Sequence, residues 1–296
     1  MTSQVPSLAF GSVPSQAWEA IVDLALAEDI GTGDVTTLAT VPAEARATGE
    51  MIAKAEGVIA GLGVAGAVFA RVDARVRFVP RVADGARVAP GTVIAEVAGP
   101  GRGILTGERV ALNLVQRLSG VATLTATYVE AVTGTKARIV DTRKTTPGLR
   151  ALEKAAVRAG GGHNHRFGLA DGVLIKDNHL ASVGGPRRVA RAVERAREAS
   201  PHTLRIEVEV TTLAEVEEAL AARADVILLD NMDVATMRQA VALINGRALV
   251  EASGGITLAT VRAVAETGVD LISVGALTHS APALDISLEL SLEGGA

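Results

Sequence analysis

Between Asp141 and Asn178 the sequence concentrates groups that hold anions. Arg143, Lys144, Arg150, Arg158, Arg166 and Lys176, with His163 and His165, fall within about forty residues. Guanidinium forks match carboxylates, and ammonium point charges match phosphates. The 296-residue chain as a whole carries a formal net charge of −4. A cationic patch on a mildly acidic chain points to a small, highly charged anion and away from a nucleic-acid surface. A solvated basic helix face would carry the same charges. The elements that position these residues decide between the two.

The second half of the chain alternates short apolar runs with helical patterns. Strands are expected at Ala137–Val140, Gly172–Ile175, Arg205–Val210, Val226–Leu229, Ala248–Glu251 and Leu271–Val274. Helices are expected at Arg150–Ala159, Arg187–Glu198, Leu213–Ala222, Val234–Leu243 and Leu258–Glu266. Repeated strand–helix units imply a parallel sheet with right-handed crossovers. Six such units fall short of the eight of a closed barrel. The expected α/β architecture is therefore an open, incomplete barrel, with a doubly wound sheet as the alternative.

Each expected strand stops at a residue suited to chemistry or to phosphate: Arg143-Lys144, Lys176, Glu209, Asp230, Ser253-Gly254-Gly255 and Gly275-Ala276. Barrel enzymes carry their chemistry at these C-terminal ends, where the loops converge. Strand alternation turns Glu207 and Glu209 to the inner face, and likewise Val226, Leu228 and Asp230. The two glycine-bearing turns let backbone N–H groups approach an anion, which makes them a candidate phosphate cradle. Glu209 and Asp230 offer only oxygen, as Mg²⁺ or sugar hydroxyls require. His163 and His165 could begin a zinc site, yet His179, His202 and His279 do not fall at expected strand ends to complete it.

The first half reads differently. A helix is expected after Ser15, on the spacing of Trp18, Ile21, Val22 and Leu26. Strands at Arg75–Val79 and Thr92–Val97 flank a turn, and a helix follows from Thr106 to Leu118, ending near Gly120. Residues 1–15 read as a flexible tail, 16–120 as an α+β domain and 121–280 as the barrel. Gly61 to Gly66 match GxGxxG, but no strand leads into them and no βαβ unit surrounds them. Helix packing explains these glycines better than a dinucleotide site does.

Apolar residues make up 48% of the chain and aromatics 2%, so Ala, Val, Leu and Ile must build the core. With no cysteine, disulfides, thiolate metal sites and a Cys nucleophile are excluded. The N-terminus lacks signal-peptide features. The most apolar window, Gly57 to Ala70, is too short to cross a bilayer. A soluble cytoplasmic protein without a membrane partner is the expectation.

Taken together, GDVTT (33–37), GERVALN (107–113), LSGVAT (118–123), DTRKTTPGLR (141–150), GGGHNHRFGLADGVLIKDNH (160–179), EVEV (207–210), LLDNM (228–232), EASGGI (251–256) and ISVGALTHS (272–280) closely resemble the quinolinate phosphoribosyltransferase family. That family, of NAD biosynthesis, joins quinolinate to phosphoribosyl pyrophosphate, giving nicotinate mononucleotide, pyrophosphate and CO₂. The resemblance implies an N-terminal α/β sandwich, rejoined by residues 281–296, beside an open α/β barrel. It implies quinolinate carboxylates on Arg143, His165 and Arg166, with Thr142 among the substrate-binding residues. Arg109 is implied to come from the partner subunit of a homodimer. Lys144 and Lys176 would lie between quinolinate and pyrophosphate, and Glu209 and Asp230 would hold the ribose and organise Mg²⁺. Phosphate would rest on Ser253, Gly254, Gly255, Gly275 and Ala276.

Three other readings compete. A related transferase would act on another pyridine or small anion. An aldolase would form a Schiff base on Lys176. The hairpin-like stretch VADGARVAPGTVIAEV resembles a lipoyl-type carrier, but no lysine for attachment occurs between Glu56 and Lys136.

Overall fold

A computed structural model describes residues 16–293; the tail expected at 1–15 lies outside them, as do the last three residues of the expected C-terminal return. The strands are β1 (Arg46–Ala53), β2 (Gly57–Val58), β3 (Arg77–Pro80), β4 (Arg87–Val88), β5 (Val93–Pro100), β6 (Arg138–Val140), β7 (Val173–Ile175), β8 (Ile206–Val210), β9 (Val226–Asp230), β10 (Leu249–Ser253), β11 (Leu271–Ser273) and β12 (Ile286–Glu293). Packing divides the chain into two compact units. One takes the chain up to Ala126 together with Thr145–Gly161 and everything from Leu277; the other takes Thr127–Lys144 and Gly162–Ala276.

In the first unit an antiparallel sheet runs β12-β1-β5-β3. Every second residue of β1 is buried, which is the signature of a sheet with one face on a core. β12 pairs along the whole of β1, Arg46 with Glu293 through Ala53 with Ile286. The C-terminal strand therefore lies in the same sheet as β1. Leu62–Val72 packs as a helix with Phe69 stacked on Phe78 of β3, ring centroids 5.7 Å apart. Of the GxGxxG glycines, Gly61 caps this helix and Gly63 and Gly66 lie within it. Gly63 and Gly66 are buried, and the Asp84 carboxylate accepts from the Leu62 amide where a pyrophosphate would have to sit.

The helix expected at Thr106–Leu118 runs instead from Gly101 to Ala131. Gly120 does not stop it, because this glycine provides clearance rather than a turn. A Cβ there would lie 1.9 Å from the Pro282 carbonyl oxygen. The expected Arg75–Val79 strand begins two residues later, at Arg77, and the expected Thr92–Val97 strand begins at Val93 and runs on to Pro100.

In the second unit six strands form a parallel sheet in the order β6-β11-β10-β9-β8-β7. All six strands expected from the sequence are present, and β6 and β7 are not bonded to each other, so the barrel is open. Its register is continuous: Leu174 pairs with Glu207, Glu207 with Val226, Val226 with Leu249, Glu251 with Leu271, and Leu271 with Arg138. Paired residues of a parallel sheet point to the same side. The inner face therefore carries Glu207 and Glu209, Leu228 and Asp230, Glu251 and Ser253, and Ser273. Two short helices absent from the sequence reading, Asp177–Val183 and Ala276–His279, follow β7 and β11.

Candidate active site

The gap between β6 and β7 is lined by the segment after Gly162. His163 bridges Val140 in parallel fashion, its amide donating to the Ile139 carbonyl and its carbonyl accepting from Asp141. Asp141, fully buried at the end of β6, fastens the Asn164–His165 turn. Its two carboxylate oxygens accept from Asn164 Nδ2 at 2.7 Å and from the His165 amide at 2.8 Å. This buried anchor turns His165 and Arg166 toward the barrel interior. Nothing in the sequence marked Asp141 as more than the first letter of a motif.

Inside the barrel, His165 Nε2 lies 3.1 Å from Glu207 Oε2 and 3.6 Å from Glu251 Oε2. The three ligating atoms fall within 4.8 Å of one another. Burial raises the Glu251 pKa to about 8, with the Glu207 charge adding to the rise and His165 opposing it. Burial beside the Glu207 carboxylate thus favours the protonated form of Glu251. Sequence alternation placed Glu207 inward but passed over Glu251, which looked like the last residue of its strand.

A cavity of about 360 Å³ runs along this interior, its wall including Arg138, His165, Arg166, Arg205, Glu207 and Glu251. Val173, Val226, Leu249 and Leu271, the first residues of their strands, also line it, so it reaches down toward the strand N-termini. Arg143 and Arg166 each have a buried Nε without a hydrogen-bond partner among the described residues. Burial lowers the Arg166 pKa, and the Arg143 charge lowers it further. Two guanidiniums close enough to repel, each with a donor unspent, are arranged for an anion.

The rest of the expected set gathers at the C-terminal ends of the strands. Lys176 follows β7 at the level of Glu209, and its Nζ meets Glu209 Oε2 at 2.7 Å. Asp230 and Ser253 pair in register one step higher. Asn231 links them, its side chain donating to Asp230 Oδ2 at 2.7 Å and its amide to the Ser253 carbonyl at 3.0 Å. Gly254 holds φ +92°, and a Cβ there would strike Asn231 Oδ1 at 2.2 Å. Gly255 holds φ +59°, and a Cβ there would meet nothing within 4 Å. Thr142 Oγ1 accepts from the Lys144 amide at 3.0 Å and so shapes the turn after β6. Gly275 precedes the helix that follows β11, and Ala276 is its first residue.

Arg150 and Arg158, which the sequence grouped with these cations, belong to the helix Arg150–Ala159 of the first unit. Arg109 also belongs to that unit, exposed on the helix Gly101–Ala131 beside Glu108, whose pKa it helps to lower against the effect of burial.

An open parallel barrel with cations, carboxylates and glycine turns at its strand ends defines the phosphoribosyltransferase type of α/β fold. Residues 34–119 match the N-terminal domain of quinolinate phosphoribosyl transferase, and residues 121–289 match its C-terminal domain. The chain is 50% identical over 272 residues to the nicotinate-nucleotide pyrophosphorylase [carboxylating] of Mycobacterium leprae, covering 90% of this chain and 94% of that one. It is 48% identical over 265 residues to the probable enzyme of that name from Bacillus subtilis, covering 90% of each. The solved structure of the nicotinate-nucleotide pyrophosphorylase from Francisella tularensis superposes with a TM-score of 0.89 at 39% identity, over 95% of this chain and 99% of that one. The chain belongs to the quinolinate phosphoribosyltransferase family.

Proposed function

We propose that this protein transfers the phosphoribosyl group of phosphoribosyl pyrophosphate to the nitrogen of quinolinate, releasing pyrophosphate and CO₂ and leaving nicotinate mononucleotide. The observation that carries this reading is the Arg143–Arg166 pair, with two buried donors unspent. A pyridine dicarboxylate supplies the planar oxygens that such forks bind. His165 belongs to the same subsite, and Thr142 shapes its rim. Lys144 and Lys176 stand where leaving pyrophosphate gathers negative charge. Departure of that group leaves positive charge on the ribose, and the fixed carboxylates of Glu209 and Asp230 oppose it. The turns at Ser253-Gly254-Gly255 and Gly275-Ala276 receive the 5′-phosphate. Once the pyridine nitrogen carries the ribose, the adjacent positive charge stabilises the carbanion left when the C–CO₂ bond breaks, and a proton from solvent then takes the place of CO₂, so decarboxylation needs no further electron sink.

Glu209 and Asp230 present only oxygen, on adjacent strands, and so fit Mg²⁺. Bound with the pyrophosphate substrate, the ion would supply charge neutralisation to the leaving group. Excess EDTA is expected to abolish turnover and Mg²⁺ to restore it. Full activity in EDTA would remove the ion from the reaction. No helix among the described residues is long and apolar enough to cross a membrane. A cytoplasmic homodimer with Arg109 given across its interface completes the reading.

The deciding assay gives the purified protein quinolinate, phosphoribosyl pyrophosphate and Mg²⁺ and looks for nicotinate mononucleotide. Product from nicotinate in place of quinolinate, without CO₂, would assign the chain to a related transferase instead.

A further inference from the structure

His165 of the quinolinate subsite meets two buried carboxyl groups, Glu207 and Glu251, to which the steps above give no role. Its geometry assigns both nitrogens of the imidazole. Nδ1 accepts the Arg166 backbone amide at 2.8 Å, so it carries no proton there. The ring proton therefore sits on Nε2, which faces Glu207 Oε2 at 3.1 Å. A metal ion among these three residues would take the Nε2 lone pair and push the proton to Nδ1. The Arg166 amide already points at that position, which excludes the metal reading on the ring's own hydrogen bonds.

We propose that Glu207, with Glu251 behind it, is a positioning residue for quinolinate: it locks the His165 ring so that Nδ1 anchors the Arg166 amide and the Arg166 guanidinium is held toward the substrate. His165 on this account works within the quinolinate subsite by placing its neighbour, with both ring nitrogens committed to the protein. The chain of contacts is short. The Glu251 carboxyl lies within 4.8 Å of Glu207, Glu207 accepts from the His165 Nε2–H, and His165 Nδ1 accepts from the Arg166 amide. The other end of Arg166 is tied by Nη1 to the Gly172 carbonyl at 3.1 Å, and its Nε is left for the ligand. Asp141 holds the same loop from its outer side through Asn164 and the His165 amide. Two buried acidic anchors thus define one arginine. The inference rests on the quinolinate reading for its substrate, but not for the state of the ring.

Two measurements on the full-length protein test it. With ¹⁵N-labelled histidine, assigned by comparison with His165→Asn, the His165 ring should report the neutral Nε2–H tautomer at pH 7 in the absence of substrate. An Nδ1–H tautomer or an imidazolium would overturn the proposal, whether or not the protein turns over quinolinate. In steady-state kinetics Glu207→Ala should raise KM for quinolinate by roughly ten- to a hundredfold, as a displaced positioning group does, with KM for phosphoribosyl pyrophosphate nearly unchanged. Glu207→Gln, whose amide oxygen still accepts from Nε2, should restore most of the affinity. Equal quinolinate KM in Glu207→Ala and the parent would refute the positioning role, as would a matching loss in both KM values. Should Glu207→Ala fail to fold, the tautomer of the parent and the Glu207→Gln kinetics still decide. A parent that shows the expected tautomer but makes no nicotinate mononucleotide would defeat the function and leave the ring assignment standing.

Discussion

Arg143 and Arg166 are costly residues for a fold to keep. Each hides an Nε from water with nothing to receive it, and the two charges oppose one another. A folded chain tolerates such an arrangement where a ligand completes it. Arg143→Ala and Arg166→Ala should each raise KM for quinolinate by about thirtyfold or more, roughly 2 kcal/mol for a charge-assisted fork. Arg195→Ala, on the exposed face of its helix, should change nothing. Equal quinolinate KM in the Arg143 variant and the parent would take that residue out of the site. Glu251 offers a second test at this scale. Its pKa stands at about 8 in the folded protein against an ordinary 4.5, so the native state keeps a proton that the unfolded chain releases. The stability this confers is complete below about pH 4.5 and is lost as pH climbs toward about 8. Glu251→Gln should therefore flatten the fall of Tm across that window; parallel Tm profiles for parent and variant would mean that Glu251 is already ionised when folded. The sequence displayed most of these residues through strand ends and alternation. It could not display the meeting of His165 with Glu207 and Glu251, because that depends on a loop entering the gap between β6 and β7.

At the scale of elements, strands were the easier reading. Apolar runs of three to five residues bounded by polar ends mark β6 to β11 within a residue or two. The long helix Gly101–Ala131 was misjudged because glycine has two uses. Read as punctuation, Gly120 ends the helix early. In the structure Gly103, Gly107 and Gly120 are points of close approach. A Cβ would come within 2.8 Å of Asp73 Cβ at Gly103, 3.1 Å of Phe69 at Gly107 and 1.9 Å of the Pro282 carbonyl at Gly120. Exchanging glycine for alanine within a helix normally stabilises by about 0.5–1 kcal/mol. Here Gly120→Ala should instead destabilise by roughly 1–3 kcal/mol, since backbone must move to admit the methyl group. Urea unfolding would register this as a lower midpoint at unchanged slope. A midpoint equal to or above the parent's would mean that the 281–284 segment yields at little cost.

The whole molecule sets the remaining terms. Arg109 is exposed on its own chain and could be an ordinary surface arginine. If its guanidinium instead completes the site of a second copy, each dimer owns two composite sites related by a twofold axis. Arg109→Ala and Lys144→Ala chains, each inactive alone, should then recover part of the parental activity on mixing, up to about one intact site per mixed dimer. No recovery after demonstrated subunit exchange would confine Arg109 to its own chain. Neither the tally of charges nor the strand pattern could have raised this question, because symmetry leaves no periodic trace in a single sequence. The pairing of β12 with β1 carries a different consequence, one of time. On the ribosome, β1 emerges about 230 residues before its partner. All six barrel strands are made in the interval, while one edge of β1 waits with its amides and carbonyls unpaired. Unpaired edges recruit other chains. The nascent protein is thus most open to misassembly late in synthesis, and its first sheet is among the last parts of it to be finished.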